Sequence, residues 1–241
     1  MRRRPVGPAA EAYARAPLPS GRTPWREARF AVVDLETTGL DAARHEIIAW
    51  CVVAVDGGRI EPARAVEGLV RPQRSPEARS VRIHGLRAAD LAAGEPLDDA
   101  VDRIIGAIAG RVLVAHAAWV ERTFLHAALR RRGVRLRGEI VDTLALGRLQ
   151  LLDRDGALPP ALSLDALARE LGLPVHHRHT AAGDALTTAQ LFLALAARRE
   201  AHAGRADVRW LRGGRRRLDA ARLYRGATPD PRSGRRESNP P

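Results

Sequence analysis

Asp34 and Glu36 stand two residues apart in the segment FAVVDLET, a spacing that sends both carboxylates out of the same face of a strand. By itself an Asp-x-Glu pair more often marks a solvated strand end than chemistry. Here the four preceding residues are apolar, which places the pair at the end of a buried strand, and Thr37-Thr38-Gly39 turns the chain directly after it. Two carboxylates held close in a partly dry site repel unless one is protonated or a cation lies between them. Later segments supply partners of the right kind. Glu121 opens a helical stretch after RVLVAH, and His179 and Asp184 lie five residues apart with small residues between them that leave open space. Four carboxylates carry about −4, which two divalent cations neutralise; paired cations roughly 3.5–4 Å apart stabilise the attacking and leaving oxygens of phosphoryl transfer. An all-oxygen ligand set favours Mg²⁺ or Mn²⁺ over zinc. A histidine with an ordinary pKa of about 6.5 can take a proton from an attacking water at neutral pH.

The elements that must position these groups are legible as periodicities. Residues 29–34 and 46–55 are apolar, β-branched runs of strand length, and Asp56-Gly57-Gly58 signals a hairpin into RIEPARAVEGLV. A three-stranded antiparallel start follows. After a turn-rich stretch containing Pro72 and Pro76, Leu97, Val101, Ile104, Ile105 and Ile108 recur at helical spacing. Residues 111–116 then read as a short buried strand, 120–130 as an amphipathic helix, 139–142 as a further strand and 143–152 as a helix. The stretch 162–173 predicts a helix with Ser163 as N-cap and Gly172 as its stop. The last helix runs from about 180 to 197. Antiparallel strands followed by strands alternating with helices predict an α/β fold with a mixed sheet covered on both faces.

Charge and composition bound the rest. The net charge is +12, of which +4 falls on residues 1–28 and +7 on residues 205–241, leaving +1 for residues 29–204. One near-neutral domain over 29–204 is therefore expected, flanked by a basic N-terminal extension and an Arg-rich C-terminal tail, both flexible by composition. Such ends either add sequence-independent affinity for a phosphate backbone or serve as solvated tails. The single Cys51 excludes an intramolecular disulfide and a Cys-rich zinc site, and in IIAWCVVAV it reads as a small buried hydrophobe. No stretch has the length of a membrane span, and a reducing cytoplasm is the expected location.

The motifs together resemble the DEDDh exonuclease family, whose members include the proofreading epsilon subunit of bacterial DNA polymerase III. VDLETTGL is similar to the family's first motif, LVAHAAWVERTFL to its second, and HTAAGDALTTAQL to its third, with the H-x-A-x-x-D spacing intact. VRIHGL at 81–86 resembles the family's I-H-G-I segment, and EIVDTLALGR its D-T-L-x-L-A-R stretch. The likeness runs in order from residue 30 to 195. It implies a ribonuclease H-like fold, two Mg²⁺ or Mn²⁺ ions, and release of nucleoside 5′-monophosphates from the 3′ ends of single-stranded or frayed nucleic acid. A DNA polymerase subunit is the implied protein partner. By motif position Asp34, Glu36, Glu121 and Asp184 would be metal ligands and His179 the general base, with Thr37, Thr38, Leu40, His84 and His116 on the substrate side.

The second motif departs from the family's H-N-A-x-F-D form, since this chain reads His116-Ala117-Ala118-Trp119-Val120-Glu121. The carboxylate survives on a stem longer by one methylene, about 1.5 Å, and reaches a metal by folding its extra bond. Ala117 lacks the polar side chain that would help hold nucleic acid. These departures keep open a weakened or non-catalytic module that binds nucleic acid or a polymerase, beside a ribonuclease that trims RNA. Asp142 reads as a helix N-cap or an acid supporting the site. His84 either lines the cleft or bonds its own backbone. His176 and His177 read as surface or substrate-side groups, and Trp119 and Phe124 as core.

Overall fold

The computed structural model describes residues 4–155 and 162–213. Five strands, β1 (Phe30–Thr37), β2 (Ile47–Asp56), β3 (Arg59–Leu69), β4 (Val112–Ala115) and β5 (Val141–Asp142), form one sheet in the order β3-β2-β1-β4-β5. β2 runs antiparallel to both β1 and β3, whereas β4 runs parallel to β1 and β5 parallel to β4. The β2–β3 turn pairs Asp56 with Arg59, so two residues close it. Gly57 and Gly58 have φ of 60° and 71°, the left-handed pair that a tight hairpin matching strand twist requires.

Alternation along β1 divides the molecule. Phe30 and Val32 point into a core built with α6 (Thr143–Asp155), α7 (Leu164–Glu170), α8 (Ala181–Ala203) and α9 (Val208–Leu211). Ala31, Val33 and Leu35 point into a second core with α1 (Pro8–Arg15), α4 (Leu97–Ile108) and α5 (Trp119–Arg131). Asp34 and Glu36 continue the first series by the same alternation, which turns them toward α8. Ala181, Ala185 and Ala189 let α8 lie close to the sheet until Phe192, whose ring centroid is 4.7 Å from that of Phe30 and 6.3 Å from that of Trp25. Each such buried aromatic contributes about 1.5–3 kcal/mol. The helix that carries Asp184 is thus fixed to the strand that carries Asp34.

The expectation of a flexible extension over residues 1–28 is corrected by the structure. Pro8 starts α1, and Ala10 and Tyr13, one helical turn apart, are buried in the second core. The Tyr13 hydroxyl donates to the Arg135 carbonyl and accepts from the Arg137 N–H. Trp25 and Ala28 enter the first core, and the Trp25 N–H donates to the Ala206 carbonyl. The same contact tethers the start of the supposed C-terminal tail: Ala206, Val208 and Leu211 are buried. Residues 214–241, the greater part of that Arg-rich segment, lie outside the described residues. The turn-rich stretch also holds two short helices that periodicity missed, α2 (Ala78–His84) and α3 (Ala88–Leu91). Ser163 caps α7 as predicted, its Oγ accepting from the Ala166 N–H. Among the described residues no helix is long and apolar enough to cross a membrane.

Candidate active site

One carboxylate oxygen from each of Asp34, Glu36 and Asp184 lies within 4.8 Å of the other two. Two of these acids come from the end of β1 and the third from the first turn of α8, so the packing of that helix on the sheet brings together residues about 150 positions apart. Burial, then the Glu121, Glu36 and Asp184 carboxylates, hold Asp34 well above the usual carboxylate range. Glu36 is pushed up to about 8 by burial and by Asp184, and burial raises Asp184 as well. Burial and mutual repulsion thus favour the protonated forms of all three acids, and a cation among them would offset both.

Glu121 stands beside this trio without belonging to it. It occupies the first turn of α5, is 4% exposed, and is pushed up to about 8 by burial, with the Asp142 and Glu36 carboxylates adding to the shift. Its Oε2 is buried with no hydrogen-bond partner among the described residues. A buried carboxylate oxygen left unpaired costs about 1–3 kcal/mol or more, so the four acids together call for positive charge, which a divalent cation held by Asp34, Glu36 and Asp184 would supply nearby. The residues present therefore fit the cation that the acidic cluster implies. Burial also pushes the Cys51 thiol, between the Asp34 and Glu67 carboxylates, up to about 12, which keeps it an inert part of the core.

His179 is exposed on the loop before α8, with φ of 59°. Its backbone N–H donates to Asp184 Oδ2 at 3.2 Å, which ties the base expected from the sequence to one of the expected ligands. Thr180 caps α8 through the Gly183 N–H, and a Cβ on Gly183 would stand 2.2 Å from the His177 carbonyl oxygen. Only glycine lets the loop seat on the helix in this way. His176, half-buried, gives its N–H to Thr187 Oγ1 and faces Gln190 through Nε2. Arg178 pairs with the buried Asp165 of α7, a contact between two segments that no sequence motif links.

The residues expected on the substrate side divide in two. Thr37 and Thr38 are buried, the Thr37 hydroxyl donating to the Gly39 carbonyl and the Thr38 oxygen accepting from the Glu46 N–H, so both side chains are spent on the loop. Half-buried His116 turns its Nδ1 to Thr143 Oγ1 at 3.0 Å, and burial pushes its pKa down to about 4 against the pull of Asp142. Leu40 is 45% exposed. His84, at the end of α2, lines a cavity of about 340 Å³ together with Glu36, Leu86, His179 and Thr180. Its Nδ1 accepts from the Leu86 N–H, while its buried Nε2 has no partner among the described residues. Phe124 belongs to the second core, as expected.

Asp142 does two jobs at once. Its carboxylate accepts from the Leu144 N–H at the start of α6 and from the N–H groups of Ala117 and Ala118 ahead of Glu121. It acts as a bracket for the second motif rather than as a member of the acidic trio.

Known proteins with related chains agree with this geometry. The family model for exonucleases, RNase_T, matches residues 31–192. A DNA polymerase III subunit epsilon-like protein of Rhodobacter capsulatus is 34% identical over 176 residues, covering 72% of this chain and 24% of its own length. A PolC-type DNA polymerase III of Thermotoga maritima is 32% identical over 168 residues, covering 69% of this chain and 12% of its own. The chain thus spans a quarter or less of the length of these two relatives. The structure of exonuclease X in complex with 5′-overhanging duplex DNA superposes with a TM-score of 0.59 at 24% identity, covering 76% of this chain and 99% of that one, a likeness of fold. With two thirds of its length matched by the family model and the acidic residues of the matched motifs gathered at one end of the sheet, the chain belongs to the RNase_T exonuclease family.

Proposed function

We propose that the chain is a metal-dependent 3′ to 5′ exonuclease that removes nucleoside 5′-monophosphates from single-stranded or frayed DNA ends. The observation that carries this reading is the carboxylate trio of Asp34, Glu36 and Asp184, with the unpaired Oε2 of Glu121 at its side. Mg²⁺ or Mn²⁺ suits this all-oxygen set. When bound, such cations supply Lewis-acid stabilisation of the charge that builds on a phosphodiester. His179, exposed and joined through its backbone to Asp184, takes the proton of the attacking water on its imidazole. The cavity beside Glu36 is of a size to take one nucleoside, and His84 forms part of its wall. Leu40 offers an apolar surface at the neighbouring loop. The relatives' names point to a DNA polymerase III assembly as the setting, and a polymerase subunit is the partner this reading favours.

Incubating the protein with single-stranded DNA or RNA labelled at either end tests the reading. A 3′ label should be released as mononucleotide from the start, and a 5′ label should remain on a shrinking ladder. Release that begins at the 5′ end, or internal cuts, would refute the polarity. Preference for RNA at equal concentration would reassign the substrate.

A further inference from the structure

His179 adopts a left-handed backbone conformation that costs a non-glycine residue about 1–3 kcal/mol and persists only where its surroundings fix it. Most of those surroundings belong to α8. His176 is fastened to Thr187 and Gln190, the His177 carbonyl accepts from the Thr180 hydroxyl, and the Asp184 N–H donates to the Thr180 carbonyl. Residue 178, immediately before the base, is held from the opposite side. Its guanidinium pairs with Asp165 in the first turn of α7, an acid whose side chain is 9% exposed, while Arg178 itself is 50% exposed. Arg169 reaches the same Asp165 oxygen at 4.0 Å from the solvent side. Arg178 Nη2 lies 3.4 Å from His179 Nε2.

We propose that Asp165 is a positioning residue for the exonuclease reaction: through Arg178 it anchors the loop to α7 and holds the His179 imidazole where it can accept a proton. The proposal rests on the reading of His179 as the general base. Asp165 is not one of the acidic trio, but its charge and that of Arg178 both act on Asp184, so the comparison with and without His179 separates positioning from a direct electrostatic effect. A base held in place from two helices loses no orientation between turnovers, and misplacement by about 1 Å costs on the order of 10²-fold in rate.

The test is a double-mutant cycle on single-stranded DNA with full-length protein. Asp165→Asn keeps the side chain's shape and removes its charge. It should lower kcat about 10- to 100-fold with KM within about twofold of wild type, and Arg178→Ala should do the same. The two together should be no worse than the more damaging single change. In a His179→Ala background Asp165→Asn should change kcat less than about twofold, because a positioning residue has nothing left to position. Hydrogen exchange, which needs no turnover, should rise at residues 176–180 in Asp165→Asn. If His179→Ala retains wild-type kcat, the base assignment beneath the proposal fails. If His179→Ala is inactive but Asp165→Asn leaves kcat unchanged, or slows the reaction equally with and without His179, the positioning role fails. Since Arg178 is half exposed, its alanine variant folds and answers the question if Asp165→Asn does not.

Discussion

Asp142 Oδ1 accepts the N–H of Ala117 at 3.1 Å, at a residue whose φ is 53°. The adjoining Oδ2 accepts the N–H of Ala118, and the two bonds hold open the left-handed step that delivers Glu121 to the head of α5. The family form that this motif resembles, H-N-A-x-F-D, has Asn at this position. Asn tolerates left-handed backbone far better than Ala, so the position has a conformational role that does not depend on contact with nucleic acid.

Ala117→Asn should therefore stabilise the fold by about 0.5–1 kcal/mol. Urea unfolding monitored by far-ultraviolet circular dichroism measures this directly. A loss of stability would mean that the asparagine side chain cannot be accommodated beside Asp142.

Glu121→Gln separates function from stability because the two should move in opposite directions. The substitution removes a buried carboxyl whose pKa is about 8, so the metal-free protein at pH 8 should melt at a higher temperature. Activity should fall on the order of 10²-fold, with a higher Mg²⁺ or Mn²⁺ concentration needed for half-maximal rate. Unchanged metal dependence would leave Glu121 outside the cation site and favour a centre built on Asp34, Glu36 and Asp184 alone.

The acids also set how stability follows pH. Glu36 and Glu121 have folded pKa values of about 8 against an ordinary 4.5, so the unfolded chain releases these protons first. Their contribution is fully present below about pH 4.5, declines as pH rises toward 8 and is absent above it. Metal-free protein should accordingly lose thermal stability between about pH 5 and 8, where each 1 kcal/mol shifts Tm by about 2–4 °C in a domain of this size. Millimolar Mg²⁺ or Mn²⁺ should reverse the loss. A Tm that rises through this window in metal-free buffer would contradict the burial of uncompensated acids.

Removing residues 214–241, which carry eight Arg against three acids, should weaken binding to long single strands and flatten its salt dependence by about two to four units of slope, without slowing turnover of short oligonucleotides. The cut belongs after Gly213 rather than at residue 205, because Ala206, Val208 and Leu211 are part of the core. Identical salt slopes for the two proteins would show that the segment does not touch the phosphate backbone.

The sheet and its larger helices were legible because each repeats its apolar residues at its own period; Leu97 to Ile108 forms a helix over the residues that periodicity marked. The acidic trio was legible from motif order, since β1 and α8 carry their acids at spacings the packing preserves. Three features were hidden. Ala10 and Tyr13 bury one face of α1 inside a segment whose Pro and Arg content resembles a tail. The left-handed backbone at Ala117 and His179 has no signature in residue types that ordinarily avoid it. The Asp165–Arg178 pair depends on the path of the loop between α7 and α8, which no periodicity encodes.

The most direct test of the central claim is the release of nucleoside 5′-monophosphate from 3′-labelled single-stranded DNA by wild-type protein and by Asp34→Asn, with and without Mg²⁺ or Mn²⁺. The carboxylate site predicts stepwise shortening from the 3′ end by the wild type only when the cation is present, and loss of that activity by at least about 10²-fold in Asp34→Asn. Metal-independent release, or an Asp34→Asn variant as active as wild type, would contradict it.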